Sequence, residues 1–458
     1  MDLVGIETRM KMTKKIKINK KFLRTLIVLV LPIILQDLMT HSVNFMDMWM
    51  MGQLSLEAVT GVGLSKRLFF LFIMLVFGVN SGSAIFMGQY WGKGDVRGIH
   101  RVLGIAFTAN LSIATIFACI AIFAPRWFMS ILSADPAVIE QGVQYLAIIS
   151  IAYLLTAISS TTLFALRSIR QTKIPMFAVL CSLIIKLAIN YTFVFVLDMG
   201  IAGAAWGTVF ARATEITVQL ILIKRYRLPI LTNFRSHFDF SFAYVKNFFK
   251  TTLPVIGNEF FWGLGIFVYD IAYRFTGSTG QGAFQISDNI QHYFMIMGIS
   301  IGAASGITIA NLLGAGERAE AIAASRRCVA IGAAVTAVMS ILLFIVGPFI
   351  VGTFSEVSPY VQGLASTNLA VISIFMVPRT INYFFIISIL RQGGDTVFCM
   401  LLDSGSVWLI GIPMAFLGAY VLGWPIYMVL VLVYVEEMVK IFIAGARVWR
   451  NKWANKLV

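Results

Sequence analysis

The chain has 458 residues, of which 59% are hydrophobic and only 12% are charged. A soluble domain carries roughly 25% charged residues, so this composition excludes a large soluble core with a charged exterior and favours a protein whose solvent is lipid. The formal net charge is +15, which we attribute to basic cytoplasmic loops rather than to nucleic-acid binding, because no basic stretch outside the apolar runs is interleaved with aromatic residues.

The apolar runs are continuous, which favours helices over a β-barrel, and they predict twelve membrane-spanning helices in two sets of six. An N-lobe, 24–225, contains α1 at 24–50, α2 at 58–88, α3 at 98–124, α4 at 138–166, α5 at 174–198 and α6 at 201–225. A polar linker at 226–245 follows. A C-lobe, 246–446, contains α7 at 246–275, α8 at 282–312, α9 at 319–353, α10 at 361–391, α11 at 397–421 and α12 at 424–446.

Lys and Arg residues concentrate in every second connection and in both tails, 1–23 and 447–458. By the positive-inside rule both tails are cytoplasmic, which requires an even number of spans. We interpret the basic tail before α1 as the flank of an uncleaved span, since no small-residue cleavage site follows it. The sequence therefore predicts a multi-pass protein of the plasma membrane, in bacteria the inner membrane.

The two lobes repeat each other at a constant offset. The loop 89–95 recurs as 311–317, Leu166-Arg167 recurs as Leu390-Arg391, and Asp37 matches Glu259, always 222 to 224 residues apart. Because each half has an even number of spans, both halves have the same orientation. This predicts a pseudo-twofold axis along the membrane normal, with the substrate path between the lobes.

α1 carries a polar stripe. At 100° per residue its polar side chains share an arc of roughly 120°; they are Asp37, Thr40, His41, Asn44 and Asp47. A charged residue at the centre of a span costs about 2.5–3.5 kcal/mol, so the stripe must face a cavity or another polar helix. Two interpretations remain: a hydrogen-bonded seam between helices, or carboxylates that bind a coupling ion or a substrate.

α7 repeats this pattern. Glu259 and Asp270 lie about 20° apart in azimuth, with Tyr273 on the same face and Trp262 about 60° away. A carboxylate at equal depth in both lobes is what a central cationic pathway requires. Asp270 also lies near the outer end of its helix, where a merely solvated side chain is the alternative.

Other charged groups inside the predicted helices suggest internal ion pairs. Spacings of three or four residues place such groups beside each other on one helix face. These groups are Lys186 with Asn190, Arg212 with Glu215, and Glu436 and Glu437 with Lys440. At the start of α11 we expect Asp395 to cap the helix and Asp403 to reach the lobe interior.

No catalytic or metal-binding pattern is present in the sequence. GxxxxGK[ST] and HExxH are absent, and the single GxSxG match, at 298–302, lies within an apolar run rather than at a strand-to-helix turn, so neither ATP hydrolysis nor hydrolase chemistry is indicated. The four cysteines lie singly within apolar runs, which indicates no disulfide framework and no structural metal site. We therefore expect no enzyme activity and no cofactor.

In order and spacing, the sequence resembles the multidrug and toxic compound extrusion family of cation-coupled efflux antiporters. The resembling positions span about 420 residues: Pro32, 44–47, 88–95, 166–175 (LRSIRQTKIP), Asn190, 203–205, 253–263 (LPVIGNEFFWG), 311–317, 390–396 (LRQGGDT) and 436–440. The resemblance implies two six-helix lobes in alternating access and export of amphipathic, mostly cationic compounds in exchange for H⁺ or Na⁺. A monomer would suffice for this.

The resemblance also implies site residues. It places a proton or cation site at Asp47 and a second at Glu259, the two positions at which Na⁺ would bind. One branch of the family has an Asn in α5 followed four residues later by Asp, whereas here Asn190 is followed by Val194. This departure argues against a Na⁺ site in the N-lobe and leaves proton coupling at Asp47 open.

Two functions are compatible with these features. A buried carboxyl group holds either a proton or a cationic substrate, and this mutual exclusion is the basis of antiport. The alternative is a lipid-linked oligosaccharide flippase of the same superfamily, for which we expect about two further spans and a more cationic central cleft. The acidic residues of α1 favour the antiporter.

Overall fold

The computed structural model describes residues 20–52, 56–230, 237–354 and 357–458, which are helical throughout their length apart from short connections. The predicted helices of the N-lobe all appear. They are α1 Lys20–Gly52, α2 Leu56–Lys93, α3 Val96–Phe123, α4 Pro136–Ser168, α5 Lys173–Tyr191 and α6 Gly200–Arg225. A short helix that the hydropathy pattern did not predict, Pro125–Leu132, connects α3 to α4.

The C-lobe repeats this order. Its helices are α7 Phe242–Tyr273, α8 Gly277–Gly314, α9 Arg318–Gly352, α10 Pro359–Tyr383, α11 from Thr396 to Val421, and α12 in the two pieces Ile426–Val433 and Val435–Trp449. Several helices contain π-helical turns, which commonly mark sites where a helix is adapted to a neighbour or a ligand. These turns are Thr192–Val196 after α5, Phe384–Leu390 after α10, and Val407–Gly411 and Leu417–Val421 within α11.

Most of these helices are apolar enough to span a bilayer. Nine stretches of the described residues meet that requirement, and one of them, Phe242–Gly314, contains both α7 and α8. α6 is not among them and carries charged residues such as Glu215, whereas α12 is divided into pieces of 8 and 15 residues, each too short to span a bilayer alone, and carries Lys440 in the second piece. Buried partners stabilise these charges within the lobes, as described below. The architecture is an integral membrane helix bundle.

The connections that the sequence predicts to be cytoplasmic lie together at one end of the molecule, here called the basic end. Arg170 Nε donates to Asn311 Oδ1 at 2.6 Å, Arg101 pairs with Asp239, and Arg318 donates to the Asn451 carbonyl. The connection after α3 contacts other residues of the N-lobe, as in the Arg126–Glu140 pair and the hydrogen bond from Ser65 Oγ to Met129 Sδ.

Each lobe has its own apolar core. In the N-lobe, Phe72 and Tyr153 are fully buried and their rings meet edge to face, with centroids 4.9 Å apart. In the C-lobe, Leu369 and Val429 are fully buried in the equivalent cluster. Because lipid tails are as apolar as these side chains, packing and close helix contact rather than dehydration hold such helices together.

α1 and α7 each pack against a helix of the other lobe. The first half of α1 packs Leu29 and Ile33 against Ile301 and Ala304 of α8. On the other side α7 crosses α2 so closely that a Cβ at Gly78 would lie 2.7 Å from the Ile256 Cα. Small residues permit such close crossings in membranes. This exchange, α1 with α8 and α7 with α2, is the arrangement expected of a pseudo-twofold pair.

The two repeated segments, 89–95 and 311–317, hold the lobes together at the basic end. Asn311 Nδ2 donates to the carbonyls of Gly88 and Ser168, whereas Gln89, its counterpart at the repeat offset, donates to the Gln392 carbonyl. A Cβ at Gly314 would overlap the Gln89 carbonyl, and one at Gly92 would overlap the Asn311 carbonyl. The lobes are therefore in direct contact at this end.

Candidate functional site

Asp37 lies at the contact between the lobes. Its Oδ1 is 3.5 Å from Arg167 Nη2, and its Oδ2 accepts a hydrogen bond from Ser300 of α8 at 3.1 Å. The Asp37 side chain is 30% exposed, more than the side chains of Asp47 and Glu259, which are 15% and 9% exposed. Arg167 also donates to Gln36 Oε1 at 2.8 Å. Asp37 is thus loosely paired, accessible and shared between the lobes.

Glu259 forms the duplicate of this pair. Arg391 Nη1 lies 2.7 Å from Glu259 Oε1 and also donates to Ser81 of α2 at 3.0 Å. Arg391 is fully buried, and its Nε and Nη2 have no hydrogen-bond partner among the described residues. A cation that binds Glu259 must therefore displace a buried guanidinium, which costs far more than filling an empty site.

Each lobe thus contains one ion pair at the same place in the repeat, and each pair reaches a serine of the opposite lobe. The repeat offset relates Asp37 to Glu259 and Arg167 to Arg391. The Asp37–Arg167 pair is partly exposed and its atoms are 3.5 Å apart, whereas the Glu259–Arg391 pair is buried and its atoms are 2.7 Å apart. Sequence reasoning found both carboxylates but missed their partners, although the arginines obey the same offset.

Asp47 faces the interior of the N-lobe. Lys186 Nζ lies 2.6 Å from Asp47 Oδ2, and Asn190 Nδ2 donates to Asp47 Oδ1 at 3.3 Å. The Lys186 side chain is 8% exposed. Its ammonium group therefore occupies the place beside Asp47 where a coupling cation would bind, and the sequence had grouped Lys186 only with Asn190.

A cavity of about 410 Å³ opens beside this pair. Apolar side chains from α2, α4 and α5 form much of its wall, and charged groups form the remainder. The charged lining consists of Asp47, Lys66, Lys186, Arg212 and Glu215. Arg212 Nη1 lies 2.6 Å from Glu215 Oε2, which confirms the pair suggested by their spacing.

The C-lobe contains a second buried group of charges around Lys440. Its Nζ lies 3.2 Å from Asp403 Oδ1, 3.4 Å from Glu436 Oε1 and 3.7 Å from Glu437 Oε1. Asn258 Nδ2 donates to the other Asp403 oxygen at 3.1 Å. Asp403 thus reaches the lobe interior as expected, where it helps to neutralise a lysine.

The remaining residues of the predicted site are dispersed. His41 faces His292 of α8 with ring centroids 5.9 Å apart, whereas the Asn44 side chain is outside the described residues. Tyr273 is buried in the C-lobe core and stacks on Tyr269, while Trp262 packs against the same core. Asp270 is partly buried.

One smaller expectation is wrong. Asp395 is the N-cap residue of α11, but its side chain forms no capping hydrogen bond with that helix. Both of its carboxylate oxygens instead accept hydrogen bonds from Arg447 of α12, at 2.7 and 3.2 Å. The guanidinium of Arg447 contacts both carboxylate oxygens at once, and such a bidentate contact fixes the conformation of this side chain.

Comparisons with known proteins agree with the fold. The family model MatE matches residues 32–192 and 254–417. Uncharacterized transporter YisQ of Bacillus subtilis is 23% identical over 435 residues, covering 93% of this chain and 94% of the relative. Probable multidrug resistance protein YoeA of the same organism is 20% identical and covers 95% and 96%.

Solved structures of the same architecture superpose along nearly the whole chain. The outward-facing conformation of a multidrug resistance MATE family transporter gives a TM-score of 0.85 at 15% identity, covering 93% of this chain and 96% of that chain. A MOP superfamily transporter from Pyrococcus furiosus, whose binding pocket is described as having reverse polarity, gives 0.84 at 15% identity with the same coverage.

Proposed function

The chain belongs to the MatE family, and we propose that it is a cation-coupled antiporter that exports amphipathic, mostly cationic compounds by alternating access. The coupling ion is H⁺ or Na⁺. Asp37, Asp47 and Glu259 are the carboxylates that hold the ion or the substrate in turn. The protein works as a monomer in the plasma membrane, with both tails in the cytoplasm.

The observation that carries this proposal is the environment of Asp37. This carboxylate is partly exposed, lies 3.5 Å from its arginine and bonds to a serine of the other lobe. When the lobes separate, Asp37 loses Ser300, and its weak pair with Arg167 leaves it free to take a proton or a cation. Its affinity for cations thus depends on the conformation, as antiport requires.

Alternating access further requires the basic end to open. In the described state the lobes touch there through Gln89, Asn311 and the glycines beside them. These contacts are hydrogen bonds and van der Waals contacts at the ends of α2 and α8 rather than an apolar core. Such contacts separate at a lower cost than the packed interior of either lobe.

The flippase alternative has less support. It predicts about two helices beyond the twelve that the described residues form, and a more cationic cleft between the lobes. Asp37 and Glu259 instead place two carboxylates at that contact, each beside one arginine.

The test is substrate uptake by everted vesicles driven by a pH gradient alone and then by a Na⁺ gradient alone. We expect one gradient to drive uptake of a cationic dye in the wild type, and Asp37→Asn to abolish that uptake at equal protein level. Glu140→Gln is the matched control, since it removes an exposed carboxylate that pairs with Arg126 at the other end of the molecule. Gradient-independent uptake in the wild type would refute coupled antiport.

A further inference from the structure

The cavity of the N-lobe differs in charge from the contact between the lobes. It lies among α1, α2, α4, α5 and α6, and its volume of about 410 Å³ suits a small organic molecule. Aromatic and aliphatic side chains form part of its lining. They are Phe69, Phe70, Ile73, Ile149, Val179 and Leu183. An occupant therefore needs an apolar body, and the charged side of the cavity selects its polar group.

Both carboxylates of the cavity already have a cation. Asp47 is 2.6 Å from Lys186, and Glu215 is 2.6 Å from Arg212. Glu215 and Lys186 are almost fully buried, which makes each pair expensive to break. A cationic ligand would have to displace one of these side chains, so the cavity offers it no free partner.

A third cation lines the cavity without a carboxylate of its own. Lys66 is partly buried on α2 and forms no ion pair within the described part of the chain. The lining therefore holds three cationic and two anionic side chains. In a cavity of low dielectric constant, this single excess charge attracts anions and repels cations more strongly than it would in water.

We propose that the cavity of the N-lobe binds small amphipathic organic anions, whose carboxylate contacts Lys66 and whose apolar body packs against Phe69 and Phe70. A buried carboxylate requires a cationic or hydrogen-bonding partner, and Lys66 is the cation here that no carboxylate already neutralises. This proposal adds a second class of substrate to the proposed export function. That anions are transported rests on the proposed function, whereas that they bind does not.

Equilibrium binding to the full-length protein in phosphatidylcholine nanodiscs tests this. The probes are fluorescein, an anion at mildly alkaline pH, and rhodamine 123, a cation on the same ring system. Fluorescence anisotropy should show fluorescein binding about tenfold more tightly or better. Lys66→Gln should weaken fluorescein binding by about tenfold, the effect of one charge-assisted contact. The control Lys93→Gln, an exposed lysine at the opposite end of α2, should change nothing.

A second variant should reverse the preference. Lys186→Met removes the partner of Asp47 and exposes a carboxylate to the cavity, so rhodamine 123 should gain affinity while fluorescein loses it. If this variant does not fold, the fluorescein affinity of Lys66→Gln is the measurement that tests the proposal. Equal or tighter binding of rhodamine 123 by the wild type, or unchanged fluorescein binding by Lys66→Gln, overturns the proposal. Gradient-driven export of rhodamine 123 in that event would leave the proposed antiport function intact.

Discussion

At the scale of single residues, the three carboxylates proposed to hold the ion or the substrate are each present in an ion pair. Asp37, Asp47 and Glu259 each face a basic side chain, at 3.5, 2.6 and 2.7 Å. Pairing removes most of the cost of placing a charge in the bilayer. It also means that ions and substrates compete with arginine and lysine side chains of the protein itself. The separation and the exposure of each pair therefore determine which carboxylate exchanges its partner.

Glu259 is the most deeply buried of these carboxylates. Glu259→Gln leaves the fully buried Arg391 without its counter-charge, so we expect destabilisation of about 3–5 kcal/mol together with a loss of transport of roughly tenfold or more. Glu259→Asp keeps the charge and should retain partial activity. Thermal unfolding in detergent and transport per molecule across neutral pH measure both. Wild-type stability and transport in Glu259→Gln would show that the pair has neither role.

Asp47 is tested by Asp47→Asn, which keeps the size of the side chain and removes its charge. We expect the protein to insert into the membrane but to lose coupled export, because the amide can neither exchange a proton nor hold a cation. Asp135→Asn, at an exposed cap of α4, is the control for a lost carboxylate. Export by Asp47→Asn at the wild-type rate would make the contact with Lys186 purely structural.

At the scale of helices, glycine determines how closely the lobes approach. Gly314, the last residue of α8, lies against the Gln89 carbonyl, where a Cβ has no room. Gly92 of α2 occupies the equivalent place against the Asn311 carbonyl. The contact is therefore made twice, once from each half of the repeat. A methyl group added at either glycine should hold the basic end open.

Gly314→Ala tests this contact. With the four native cysteines replaced, a cysteine at Gln392 should react severalfold faster with a membrane-impermeant thiol reagent applied to everted vesicles when Gly314 is Ala, because the lobes can no longer meet there. Gly363→Ala is the control, since its Cβ would meet no atom within 4 Å. Equal labelling rates in the two variants would contradict the predicted role of Gly314.

At the scale of the whole molecule, the last residues of the chain bridge the two lobes. Trp453 is buried in the C-lobe cluster beside Leu390, whereas Leu457 packs against the N-lobe cluster and its N–H donates to Gln89 Oε1 at 2.7 Å. This segment spans the closed basic end, so it must release from one lobe when that end opens. It favours the state in which the basic end is closed.

Deleting 451–458 should therefore shift the equilibrium towards the state that is open at the basic end. The same cysteine at Gln392 should then be labelled faster from the everted side, and transport should slow because the return to the closed state is less favourable. Lys456→Ala, an exposed position in the same segment, is the control. Unchanged labelling after the deletion would show that the segment only covers a surface.

The sequence by itself determined the fold. Apolar runs predicted all twelve helices, and the repeat offset predicted two lobes related by a pseudo-twofold, because both features depend on local composition and order. Helix periodicity also placed Asp37 and Asp47 on one polar stripe and related Arg212 to Glu215. The division of the lobes and the roles of the site residues remain predictions.

Only the tertiary structure decided the partners. Arg167, Lys186 and Arg391 lie more than a hundred residues along the chain from the carboxylates they contact, and periodicity within one helix gives no information about a side chain on another. The α1 stripe illustrates this, since Asp37 faces α8 and Asp47 faces α5. The packing of helices that are distant in sequence determines which charges are paired and which charge lines a cavity without a partner.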